Sequence, residues 1–144
     1  MTRSFNGLVS MFTLGAAVAG ATLPAFAVTA TGAMTTPPSV LVFDQKVVNG
    51  AVEVKYANIP SKGYVAVLGS DANGKPIGTP LGAQAINAGD HRDVKVALNG
   101  QPKAGDKLWV SLYFDTDGQA GFDAKADKPV WPDGVPTMNT FIVR

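Results

Sequence analysis

The 144-residue chain contains no cysteine. Disulfide bridges are therefore excluded, although many small exported domains depend on them, and so are thiol nucleophiles and thiolate metal sites. Histidine is nearly absent: His91 is the one imidazole in the chain, which rules out a metal centre built on several imidazoles and makes it the sole base for any serine triad. Beyond the N-terminal segment the serines are Ser39, Ser61, Ser70 and Ser111, and none sits in a Gly-x-Ser-x-Gly turn. A strong charge of one sign is also missing. Twelve Lys and Arg face eleven Asp and Glu, a balance that excludes the concentrated basic surface needed to bind nucleic acid or an anionic membrane. No window repeats apolar residues with a helical period over a useful length. A carboxylate pair for glycoside hydrolysis needs a cleft that a chain this small rarely builds. Together these gaps argue against an enzyme.

What is present begins with an export signal. Arg3 supplies a positive start, Leu8 to Val18 an apolar run, and Ala25-Phe26-Ala27 the small residues of a cleavage site. A retained membrane anchor needs roughly 20 continuous apolar residues, whereas Gly15, Gly20, Thr22 and Pro24 interrupt this stretch. The expected organisation is a signal peptide over 1-27, a flexible Thr-rich leader over 28-38 ending in two prolines, and one domain over 39-144. Losing Arg3 leaves eleven basic and eleven acidic residues. The mature chain is expected in a periplasm or outside the cell, and not spanning a membrane.

From Ser39 the pattern becomes short β-branched runs separated by turn formers. Val52, Val54 and Tyr56 alternate with Ala51, Glu53 and Lys55, which places one face on a core and the other in water. The same period recurs at Val94, Val96 and Leu98, and at Leu108, Val110, Leu112 and Phe114. Ser39 to Phe43, Tyr64 to Leu68 and Thr140 to Val143 are short enough and apolar enough to be strands, with a weak one near Ile77. Asn49-Gly50, Asn73-Gly74, Asn99-Gly100 and Ala104-Gly105-Asp106 separate them as turns. The fold expected is an all-β, immunoglobulin-like antiparallel sandwich of about seven strands, with a closed barrel as the alternative.

The longest irregular stretch, Asp115 to Asn139, holds Asp115, Asp117, Asp123, Asp127 and Asp133, five of the eleven acids. Calcium takes six to eight hard oxygens, and closely spaced aspartates with a glycine turn supply such ligands. Asp115, Asp117, Asp123 and Asp127 are the candidate ligands. The EF-hand arrangement itself fails, because aligning Gly118 with the turn glycine leaves Tyr113 and Ala124 in the first and last ligand positions. The competing expectation is ion-free: Asp115 and Asp117 bond to nearby backbone, Gly118 and Gly121 take positive φ, and Phe122 pins the loop to the core. Copper at His91 with Met34 or Met138 lacks diagnostic spacing, and His91 reads instead as a strand-start residue bonding backbone. Trp109 and Tyr113 project from the polar face of their strand and, with Trp131, form a candidate ligand surface for sugar or peptide. The alternative is that they pack beneath the following loop.

The order of these features resembles a domain of unknown function found in secreted and surface proteins of haloarchaea and some bacteria. The resemblance rests on Asp44-Gln45, Gly63-Tyr64-Val65-Ala66-Val67, Pro76-Ile77-Gly78-Thr79-Pro80-Leu81 and Ala88-Gly89-Asp90-His91-Arg92-Asp93-Val94. Phe114-Asp115-Thr116-Asp117-Gly118 and Gly121-Phe122-Asp123 complete it. It implies a β-sandwich module in an exported setting, often repeated or joined to other extracellular domains, with no established activity. The functional expectation is an exported, non-catalytic binding or structural module, with a cell-surface, protein or glycan partner. A calcium-binding module using Asp115 to Asp127 and a carbohydrate- or peptide-binding surface are the alternatives.

Overall fold

The computed structural model describes residues 36–144. The expected signal peptide, its cleavage site and most of the leader lie outside the described residues. Eight strands run in the order β1 (Ser39–Leu41), β2 (Ala51–Ile59), β3 (Gly63–Ser70), β4 (Pro76–Ile86), β5 (Gly89–Ala97), β6 (Lys107–Phe114), β7 (Lys128–Pro129) and β8 (Met138–Ile142). Among the described residues there is no α-helix, only a 3-10 turn over Pro132–Gly134. No helix there is long and apolar enough to cross a membrane.

The strands form two antiparallel sheets, one in the order β1-β2-β5 and one of five strands in which β4-β3-β6 continues into β7 and β8, both paired with β6. One core draws on both sheets. Val52, Val54, Ala57, Ile59 and Val96 meet Val65, Val67, Leu108, Val110, Leu112 and Phe141, all buried. The arrangement is sandwich-like.

Before β2, Asn49 and Gly50 adopt φ of 52° and 71°, and Val48 and Ala51 exchange backbone hydrogen bonds of 3.0 Å across them, the two-residue hairpin that Asn-Gly favours. The first segment changes sheets. β1 pairs with β2, and then Gln45 bridges in parallel to Val143, its N–H bonding Ile142 O at 3.2 Å and its carbonyl receiving Arg144 N at 2.9 Å. Asp44 reinforces the crossing by accepting Ile142 N at 2.9 Å and the Arg144 guanidinium at 2.8 Å.

Two expectations are corrected. The weak strand near Ile77 is the longest of all, eleven residues; its prolines fit because β4 is an edge strand, where a missing N–H leaves no ladder bond unmade on the open side. Tyr56 does not join the core. The inward phase of β2 passes from Val52 and Val54 to Ala57 and Ile59, at the level where Asp93 of the partner strand takes φ of 51°. Tyr56 instead donates to Asp90 Oδ1 and lies under Arg92, whose guanidinium carbon is 5.7 Å from the ring centroid.

Candidate functional site

The acidic segment begins where β6 ends. Gly63 of β3 pairs with Phe114 of β6, so one residue further Lys62 lies opposite Asp115, and Asp115 N donates to Lys62 O at 3.1 Å. The Asp115 side chain is 2% exposed and that of Lys62 58%, with Lys62 Nζ 2.7 Å from Asp115 Oδ2. Asp115 Oδ1 accepts Gly118 N at 2.8 Å, and Asp117 Oδ1 accepts Gln119 N at 2.8 Å. Gly118 and Gly121 take φ of 66° and 98°, a region that L side chains rarely enter.

Asp127 ties the segment shut. It is 1% exposed, and its two oxygens accept Thr116 N at 3.2 Å and Asp123 N at 2.8 Å. A buried carboxylate is tolerated when backbone donors take up its lone pairs. Thr116 Oγ1 adds a bond to Ala126 O at 2.5 Å. Three backbone bonds close the far end: Val130 N to Leu112 O at 2.9 Å, Leu112 N to Thr137 O at 3.1 Å, and Thr137 N to Val130 O at 2.8 Å.

The segment roofs the outer face of the five-stranded sheet. Phe122 packs edge-on against Tyr113 at 4.9 Å and against Tyr64 at 5.5 Å between ring centroids. Tyr64 donates to Gly121 O at 3.0 Å, and Ala66 and Ser111 on the same face are fully buried.

Asp115, Asp117 and Asp127 each offer one carboxylate oxygen to a group whose members lie within 4.8 Å of one another. Asp123 is not in that group; its Oδ1 accepts Lys125 N at 2.8 Å. Three oxygens supply part of a calcium shell. The Lys62 ammonium holds Asp115 below the ordinary carboxylate range, helped by Gly118 N–H and opposed by burial, and Asp115 in turn holds Lys62 above its ordinary value. Burial, then the charges of Asp115 and Asp127, push the Tyr64 hydroxyl up.

The three candidate aromatics have separate neighbours. Trp109 Nε1 donates to Ser70 Oγ at 3.1 Å and Gly74 O at 3.2 Å, with Lys107 Nζ 4.7 Å from the ring centroid. Tyr113 lies under Phe122, and Trp131 is 54% exposed in the loop. His91 lies in β5, its Nε2 2.7 Å from Asn87 O. A shallow depression of about 550 Å³ lies between the 69–74 turn and the 101–106 loop, with Asp71, Asp106 and Lys107 on its walls. Lys62 and Tyr64, both central to the acidic cluster, escape a search for acids and aromatics in one loop, because only the β3–β6 register brings them there.

Two antiparallel sheets around one core, with a self-bonded acidic loop laid over one of them, define a small all-β sandwich-like module. The sequence profile of a family described as a domain of unknown function, DUF7282, matches residues 38–144, and the chain belongs to that family. No curated protein and no solved structure matches the chain.

Proposed function

We propose that this chain is an exported, non-catalytic module with an immunoglobulin-like sandwich, acting in a periplasm or outside the cell as a structural or binding unit. One observation carries the reading. Several of the side chains with chemistry to offer are engaged by the chain's own backbone: Asp127 holds two loop amides, His91 an Asn87 carbonyl, and Trp109 a turn. Such groups position main chain instead of waiting for substrate, which fits a scaffold. Arg3, the Leu8 to Val18 run and Ala25-Phe26-Ala27 support export, and membership of a family with no described activity is compatible with a surface setting. Cell fractionation with N-terminal sequencing tests the location. Processed protein beginning at Val28 outside the cytoplasm is expected; unprocessed cytoplasmic protein overturns export.

The convergence of Asp115, Asp117 and Asp127 within 4.8 Å favours a second reading, a calcium-binding module. An ion bound only to the folded state stabilises by mass action, about 2.7 kcal/mol at a hundred times Kd. Thermal unfolding in EDTA and across a calcium titration is expected to show a rise that Asp117→Ala abolishes, and a flat response removes this reading. Trp131 is the exposed member of the proposed glycan or peptide surface, and glycan-dependent tryptophan fluorescence tests it.

A further inference from the structure

We propose that Lys62 and Asp115 are joined in the mature domain by an intramolecular amide bond. The three parts of an acyl-transfer site surround this pair. The nucleophile is the Lys62 amine, 2.7 Å from Asp115 Oδ2, and that buried oxygen has no aligned hydrogen bond. The donor for developing charge is Gly118 N–H, already 2.8 Å from the other oxygen, Oδ1, where negative charge collects once nitrogen adds to the carboxyl carbon. The third part is a proton-handling carboxylate. Asp127, 1% exposed, brings an oxygen within 4.8 Å of one of Asp115, and its two backbone bonds hold it there.

The reaction balances without a co-reactant. Ammonium and carboxylate condense: the Nζ–Cγ bond forms, the Cγ–Oδ2 bond breaks, and Oδ2 leaves as water with two of the three ammonium protons. The third stays on the amide nitrogen, while Oδ1 becomes the amide oxygen and keeps its bond to Gly118. The resting pair is ionic, so the amine is freed by passing a proton toward the carboxyl, and Asp127 relays it. The Lys62 stem reaches in from water, but the carbon it attacks is on a side chain 2% exposed, and water's exclusion there slows the reverse hydrolysis. Such a bond links the β2–β3 turn to the end of β6 in a chain with no cysteine with which to form a disulfide.

The test is the mass of the purified exported domain, followed by tryptic mapping. The expected wild-type protein is lighter than its sequence by one water, resists trypsin after Lys62, and yields one branched species joining the peptides that contain Lys62 and Asp115. Lys62→Arg keeps the cation without a nucleophilic amine, and folds at full mass. Asp127→Asn is expected to leave most molecules at full mass, and complete water loss in that variant overturns the relay. Wild type at full mass and cut after Lys62 overturns the proposal, as does a water loss confined to one peptide, the sign of an imide at Asp117-Gly118. An amide removes a carboxylate from the cation reading, so full mass with calcium-dependent melting supports calcium and rejects the bond.

Discussion

The two sheets of this domain treat their outer faces differently. On the three-stranded sheet the outward side of β2 and β5 meets water, and Lys55 there pairs with Glu53 and, at 2.9 Å, with Asp93. On the five-stranded sheet the outward residues Tyr64, Ala66 and Ser111 are buried, and Phe122 and Gly121 of the 115–137 segment lie against Tyr64. The contrast is written into the strands. β2 begins with alternation, whereas β3 is buried along nearly its whole length, and a near-continuous apolar run is what a strand covered on both faces requires. A loop rich in aspartate can therefore do the work of a third layer, provided its polar groups bond to one another before they cover apolar ground.

The largest expected break in this contrast comes from the covered side. A methyl at Gly63 would stand 2.0 Å from Tyr113 O, so Gly63→Ala must push β3 from β6 and is expected to cost about 3 kcal/mol by urea unfolding. Phe122→Ala removes the one ring that meets both Tyr64 and Tyr113. A loss of about 2 kcal/mol is expected, and faster hydrogen exchange confined to 115–127 distinguishes a lifted roof from general unfolding. Acid gives a weaker but shared effect. Asp115 in the roof, and Asp90 and Asp93 on the open sheet, all sit below their ordinary value; a depressed folded pKa means stability that is present above the unfolded value and lost as pH falls through the folded one. Chemical denaturation at stepped pH is expected to show the decline starting at about pH 4, with Lys62→Ala reducing its slope. Smallest is Lys55→Ala on the open face, within about 1 kcal/mol and shrinking with salt. A larger loss there would mean that the open sheet is less solvated than its exposure indicates.

Much of the frame was legible from residue order. Alternation marked β2, β5 and β6, Asn49-Gly50 marked the first hairpin, and the aspartates with Gly118 and Gly121 were readable as backbone-bonding turns, which is the geometry found. β4 was hard to see because Pro76, Gly78, Pro80 and Gly82 read as punctuation; prolines become acceptable only once a strand is known to lie at an edge, and that is a property of the sheet. The acid cluster was half legible. Proximity in sequence suggested four candidate ligands, and the fold brings the carboxylates of three together, because Asp123 turns onto Lys125 N while Asp127 folds inward. Lys62 was not legible at all, since 52 residues of chain separate it from Asp115 and strand register alone makes them neighbours. Trp109 and Tyr113 were placed correctly on one face, but different loops cover them.

The sheet-crossing first segment has a mechanical meaning. Gln45 lies parallel to Val143, so tension applied ahead of β1 and at Arg144 would pull these two segments past each other lengthwise. The bonds from Gln45 N to Ile142 O, from Arg144 N to Gln45 O and from Ile142 N to Asp44 would then share the load at once instead of parting one by one. A module held at both ends in this way resists being drawn out as a lap joint does, by shear.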